Sequence, residues 1–202
     1  MNKKHLALAA AVAALVGGQA MAQDTPWLLR FRAVQLDMAN GWSPTAAGAA
    51  ITSLEANNKV IGELDVTYFL TKNWATELIL TVPQRQLVKA NGAPLGSFNH
   101  LPPTLSLQYH FTDLPAFKPY VGLGVNYTKI SSVDLGGYTL KSSSTGASVQ
   151  VGVDFPLDKK WSLNVDLKKV YIKSDVFNAN SVNVGTLKLD PTLFGVGIGY
   201  RF

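Results

Sequence analysis

Phe194-Gly195-Val196-Gly197-Ile198-Gly199-Tyr200-Arg201-Phe202, the C-terminal end of the chain, decides the fold. Phe194, Val196, Ile198, Tyr200 and Phe202 share one face at period two, while Gly195, Gly197, Gly199 and Arg201 share the other. Successive side chains of a strand point to opposite faces, so this segment is a strand with one apolar side and one side nearly empty of side chains. Working back from it, the same alternation recurs in seven further segments: Trp27–Ala33, Val60–Tyr68, Trp74–Val82, Thr104–Phe111, Tyr120–Tyr127, Ala147–Phe155 and Trp161–Lys168. In each, one face is apolar and aromatic. The other carries Arg30 and Arg32, then Ile61, Glu63 and Asp65, then Glu77 and Ile79, then Ser106, Gln108 and His110. It continues with Gly122, Gly124 and Asn126, then Ser148, Gln150 and Asp154, and finally Asn164, Asp166 and Lys168.

A soluble barrel and a membrane barrel share this periodicity and differ in which face is inside. The N-terminus separates them. Lys3 and Lys4 precede an uncharged apolar run, Leu6–Gly17, and Ala20-Met21-Ala22 offers the small residues that a signal peptidase accepts. The run spans about 18 Å at about 1.5 Å per residue, well short of the roughly 30 Å hydrocarbon core. Residues 1–22 therefore read as a cleaved secretory leader, and 23–202 as a single barrel domain. No later stretch is long and apolar enough for a membrane helix. Backbone groups in lipid must all be paired, which strands achieve only by closing into a barrel. Eight is an even strand number, and Trp27, Tyr68, Trp74, Phe111, Phe155, Trp161 and Tyr200 fall at strand ends, where interfacial girdles belong.

The connections agree. Thr71–Asn73, Thr112–Lys118 and Pro156–Lys160 are short, whereas Ala39–Lys59, Pro83–Pro103, Ile130–Gly146 and Ile172–Thr186 are long and rich in Gly, Ser, Asn and Pro. The sequence thus predicts an all-β, eight-stranded antiparallel transmembrane barrel with short periplasmic turns and long extracellular loops, in the outer membrane of a Gram-negative bacterium.

Composition removes competing classes. In 202 residues, 47% are hydrophobic and 15% charged, which excludes disorder. The absence of cysteine excludes a disulfide scaffold, a zinc ribbon and a thiol nucleophile. The formal charge of +5 includes two leader lysines and is scattered, so no nucleic-acid partner is expected. No His/Asp/Glu cluster has metal-ligand spacing, and neither a metal nor a cofactor is expected. Ser106 and His110 share a face, but four residues of strand separate them by about 13 Å, too far for a nucleophile–base pair. The glycines at 195, 197 and 199 sit on a terminal strand instead of opening a helix, so they do not read as a nucleotide loop. An enzyme is not expected.

Three segments carry a resemblance: Phe98-Asn-His-Leu-Pro-Pro-Thr-Leu105, Pro119-Tyr-Val-Gly-Leu-Gly-Val-Asn-Tyr-Thr128, and Leu189-Asp-Pro191 through Gly199–Phe202. They resemble the OmpW family of small outer-membrane barrels, over essentially the whole chain after the leader. The resemblance implies an eight-stranded barrel with an apolar pocket or channel for small hydrophobic molecules, and implies that some members serve as receptors for bacteriocins or phages. Tyr200-Arg201-Phe202 resembles the C-terminal signal read by the outer-membrane barrel assembly machinery. Glu77-Leu78-Ile79 resembles the family segment in which an apolar side chain narrows the lumen. Lys168 departs from relatives that hold an aromatic residue there.

A lumen of eight strands is filled by side chains or holds one small ligand. The inward Arg30, Arg32, Glu63, Asp65, Glu77, Asp166, Lys168 and Arg201 are expected to pair across it as a charged plug. An apolar passage would then lie above the plug, in the outer half. There Ile79, with Trp42, Leu54, Leu87 and Phe98 from the long loops, is the candidate pocket or gate. The same composition also suits a small loop core that stiffens the extracellular end. Two functions stay open. One is a barrel that binds or passes small hydrophobic solutes, with lateral exit to the bilayer. The other is a plugged structural barrel or surface receptor without flux.

Overall fold

The computed structural model describes residues 25–202, and the leader expected over residues 1–22 lies outside them. In chain order the strands are β1 (Trp27–Asp37), β2 (Gly41–Pro44), β3 (Leu54–Ala56), β4 (Lys59–Phe69), β5 (Trp74–Leu80), β6 (Gln84–Ala90), β7 (Ala93–Leu101) and β8 (Thr104–His110). There follow β9 (Lys118–Asp134), β10 (Thr139–Leu140), β11 (Ser143–Pro156), β12 (Trp161–Val170), β13 (Lys173–Phe177), β14 (Asn183–Lys188) and β15 (Thr192–Arg201). Eight of them, β1, β4, β5, β8, β9, β11, β12 and β15, pair antiparallel in that order, and β15 returns to β1 to close the barrel. These are the eight expected segments. The closing seam runs from Leu28↔Arg201 to Asp37↔Thr192, and Thr25 N donates to the Phe202 carbonyl at 3.2 Å.

The faces divide as the alternation requires. Phe31, Leu105, Leu123, Val125, Leu163, Phe194 and Ile198 are exposed on the outside, a band of apolar surface that only lipid covers favourably. Arg30, Arg32, Asp65, Glu77, Gln108 and Asn164 are buried within. The glycines of β9 and β15 make room for them. A Cβ on Gly197 would meet the Phe31 carbonyl and Arg32, and one on Gly124 would meet the hydroxyls of Ser106 and Ser148.

Aromatic residues behave differently from a two-girdle barrel. Trp27, Tyr68, Trp74, Tyr109, Phe111, Phe155, Trp161, Tyr200 and Phe202 all stand at the periplasmic end. There they form edge-on contacts such as Trp27–Tyr68 at 4.7 Å, Trp74–Tyr109 at 5.1 Å and Trp161–Tyr200 at 4.8 Å. The outer boundary is marked more thinly, by Tyr127 and Tyr171 facing outward.

The long loops are largely strand. β6 and β7 form a hairpin turned by Asn91-Gly92, both at positive φ (51° and 79°), the conformation that favours this dipeptide in a two-residue turn. β7 then runs up the extension of β9, while β10, β13, β14 and β2 make a second sheet of four strands. One interruption breaks the wall. The β4–β5 ladder stops at Leu64↔Leu80, so among the described residues Lys59–Glu63 pair with β1 on one side and with no strand on the other. Across that break, Thr81 Oγ1 donates to the Gly62 carbonyl at 3.1 Å, and Lys59 Nζ to the Arg85 carbonyl at 3.1 Å.

Candidate functional site: a lumen in two layers

The periplasmic layer is ionic. Arg30 on β1 makes a two-nitrogen contact with Asp154 on β11 (Nε–Oδ1 3.1 Å, Nη2–Oδ2 2.7 Å) and reaches Glu77 at 3.1 Å and Thr67 at 3.0 Å. Arg32, one inward step higher, stands among four carboxylates: Asp65 at 2.7 Å, Glu63 at 3.1 Å, Asp166 at 3.3 Å and Glu77 at 3.5 Å. The Asp65 contact is a charge contact not aligned as a hydrogen bond. Lys168 Nζ lies 3.2 Å from Glu63 and 3.7 Å from Asp166. Neutral groups occupy the remaining lone pairs. Tyr120 donates its hydroxyl to Asp166 at 2.8 Å, Gln150 donates to Glu77 at 2.8 Å, and Asn164 donates to Asp154 at 2.8 Å.

Seven of the eight charges expected to pair across the lumen therefore meet in one network. Arg201 stands at the periplasmic mouth, its guanidinium 4.3 Å from the centre of the Phe69 ring. Asp154, Tyr120, Gln150 and Asn164 belong to the network although none was singled out from sequence. Their inward parity is readable, but their partners are remote in sequence: Arg30 lies 124 residues from Asp154, Glu77 lies 73 from Gln150 and Asp166 lies 46 from Tyr120.

The outer layer is apolar. Val34, Leu36, Leu54, Val88, Phe98, Ile130, Ile172, Leu187 and Leu189 are buried in one continuous cluster, with Trp42 packed against it. Trp42 is held by its indole N–H, which donates to the Ile51 carbonyl at 2.7 Å. Gly185, at φ +157°, lets the Trp42 ring lie on β14, since a Cβ there would meet the ring at 2.4 Å. Leu54 and Phe98 take the expected inward positions. Leu87 does not, and the pocket assignment is corrected there. On β6 the inward parity belongs to Gln84, Gln86 and Val88, leaving Leu87 56% exposed. Gln86 instead faces His100 on β7, amide nitrogen to Nε2 at 3.0 Å, a polar pair set within the apolar layer. Burial, with Lys59 adding to it, pushes His100 down to about 4.

Ile79 stands where the layers meet. It is buried and lines a cavity of about 20 Å³ together with Leu36, Ile61, Leu193 and His100, with Glu63 and Lys168 beside them from the ionic layer and Thr81 at the break in the wall. Glu77, two residues along β5, already belongs to the ionic network. The space suffices for about one water. A solute larger than water therefore enters this cavity only if side chains move.

Comparison with known proteins agrees with this architecture. The OmpW family model matches residues 28–202. Outer membrane protein W of Escherichia coli is 31% identical over 222 aligned residues, covering 99% of this chain and 100% of the relative. The dibenzothiophene metabolism operon protein PahQ of Pseudomonas aeruginosa is 26% identical, covering 90% of each chain. Among solved structures, the crystal structure of the outer membrane protein OprG from Pseudomonas aeruginosa superposes with a TM-score of 0.73 at 27% identity, covering 87% of this chain and 95% of that one. A closed eight-stranded barrel banded by apolar surface, matched end to end by such relatives, places this protein in the outer membrane of a Gram-negative bacterium and in the OmpW family.

Proposed function

We propose that the barrel takes small hydrophobic molecules from outside into its apolar outer layer and releases them sideways into the bilayer between β4 and β6. The observation that carries this reading is the break in the wall above Leu64↔Leu80, with the cavity at Ile79 directly inside it. An apolar solute has no favourable route downward, because passing Glu63, Lys168 and Arg32 would strip those charges of their partners. Sideways, the solute meets Thr81, Gly62 and then lipid. Gly62 faces outward, and a Cβ there would have no neighbour within 4 Å, so no side chain covers the outer face of the break at that position. The name of PahQ ties that relative to metabolism of dibenzothiophene, a flat apolar molecule of the class such a route would suit.

The closed packing of the outer layer supports a second reading, a sealed barrel whose outer strands serve as a receptor surface without flux. One experiment separates them. The chain has no cysteine, so Gly62→Cys with Val82→Cys supplies the only two thiols, and a reducible bis-thiol linker bridges the break. Uptake of a hydrophobic fluorophore into proteoliposomes is expected to fall on linking and to return on reduction. Equal uptake by linked and unlinked barrels would remove the lateral route. Uptake no greater than that of empty liposomes would favour the sealed barrel.

A further inference from the structure

Along β12 and into β13, the outward positions change character. Leu167 faces lipid, and the next outward residues are Lys169, Tyr171 and Lys173. Lys188 on β14 stands directly opposite Lys173 in the ladder, an alignment of like charges that weakens strand pairing. Lys129, outward on β9, pairs with Ser143, while Lys173 N donates to the adjacent Ser144 hydroxyl at 3.1 Å. Lys129, Lys173 and Lys188 thus face outward on neighbouring outer strands, Lys129 two residues beyond Tyr127 and Lys173 two beyond Tyr171.

No carboxylate among the described residues pairs with them. None of the ion pairs among the described residues includes Lys129, Lys169, Lys173 or Lys188. The nearby acids are engaged elsewhere: Asp175 accepts from the Thr186 hydroxyl at 2.8 Å, and Asp190 from the Ile172 amide at 2.9 Å. Next to Lys169, and about 13 Å of strand below Lys173, a groove of about 210 Å³ runs over the outer surface between Val149, Val151 and Leu167, with Lys169 and Thr192 at its upper rim. Lys169 Nζ donates to the Asp190 carbonyl at 2.5 Å and to Thr192 Oγ1 at 3.1 Å, which hold that ammonium at the mouth.

We propose that this face binds a phosphorylated, multiply acylated glycolipid of the outer leaflet, with one acyl chain in the groove and its phosphates on Lys169, Lys173, Lys188 and Lys129. The two halves of the site select the ligand together. An apolar groove open to the bilayer admits only a molecule whose chain already lies in the membrane. Ammonium groups without a carboxylate partner select an anion there, through charge-assisted hydrogen bonds. Tyr171, two residues before Lys173, suits the amphipathic boundary between the two. The like-charge pair Lys173–Lys188 is then a cost that the bound phosphate removes. The site lies on the outside of the barrel and does not depend on solute passage.

The test titrates the detergent-purified barrel with hexa-acylated, bis-phosphorylated lipid A and follows binding by native mass spectrometry. Lipid A stripped of its phosphates is expected to bind the native barrel about tenfold more weakly. The double variant Lys173→Ser, Lys188→Ser is expected to lose the same factor for the phosphorylated lipid and to bind both lipids alike. Without lipid, that variant should melt no lower than the native barrel, because it lacks the opposed charges. Inorganic phosphate at equal concentration should not displace the lipid. Native affinity for the stripped lipid, native affinity in the double variant, or displacement by inorganic phosphate would each overturn the proposal.

Discussion

Arg32→Met and Glu77→Gln make an informative pair, because the ionic layer holds more acids than bases. Arg30, Arg32 and Lys168 face Glu63, Asp65, Glu77, Asp154 and Asp166. Removing one partner of a buried ion pair costs about 3–5 kcal/mol, and Arg32 serves four carboxylates within 3.5 Å, so Arg32→Met belongs at the upper end, about 5 kcal/mol. Glu77→Gln removes one of the surplus acids. Arg30 keeps Asp154, Arg32 keeps Asp65, Glu63 and Asp166, and the buried Gln150 Oε1, which has no hydrogen-bond partner, becomes available to the new amide. That variant should cost about 1–2 kcal/mol, the scale of a weakened hydrogen bond. Reversible urea unfolding in phospholipid vesicles, read by tryptophan fluorescence, measures both. A Glu77→Gln loss equal to that of Arg32→Met would show that charge balance does not govern this layer. So would an Arg32→Met loss below about 1 kcal/mol, which would mean that water reaches the layer and solvates it.

Ile79→Asn should lower uptake of a hydrophobic fluorophore per folded barrel by about tenfold, since the buried amide is left without partners that an apolar solute can supply; unchanged normalised uptake would take Ile79 out of the route. Leu123→Arg, on the lipid face, should cost about 2–4 kcal/mol near the bilayer midplane, whereas the inward Gln108→Arg should escape that lipid penalty; equal unfolding free energies would refute the face assignment. His100 is held neutral in the fold, down at about 4 against an ordinary 6.5, so between those values the unfolded chain binds the extra proton. The contribution of His100 to stability is therefore complete above about 6.5 and is lost as the pH drops toward 4, by as much as about 3 kcal/mol, and His100→Gln should lessen the pH dependence in urea titrations at pH 7, 5 and 4.

Each spanning strand was legible because one physical rule, apolar toward lipid and polar toward the lumen, acts on every residue of it. Phe31 beside Arg30 and Arg32, or Leu78 between Glu77 and Ile79, cannot be placed in any other way. Above the membrane that rule lapses. Leu87 and Gln86 exchange the roles their polarity suggests, because Gln86 has His100 as an inward partner and Leu87 sits on an exposed face of β6. The Asn91-Gly92 pair was a hairpin signal within a segment read as loop, and the alternation of Gln84–Ala90 beside it was too weakly apolar to stand out. The ionic layer shows the other boundary of sequence reasoning. Parity shows that Arg30 and Asp154 point inward. Which acid meets which base depends on the stagger of strands across the barrel, and no local pattern records that.

The seam between β1 and β15 joins the two ends of the chain, with Leu28 opposite Arg201 and the Thr25 amide on the Phe202 carbonyl. Every other spanning pair joins strands that follow one another in the chain. This one requires that the whole chain be made first, so its loop-closure entropy is the largest in the molecule and its pairing comes last. Until then the barrel is a curled sheet with two raw edges, each a row of unpaired amides and carbonyls that lipid cannot satisfy and that would pair with any other strand. The strand that ends this exposure is the one that carries Tyr200 and Phe202. A chain without β15 would keep the other seven strands and the whole ionic layer, yet remain an open sheet whose first strand is paired on one side alone, with β4.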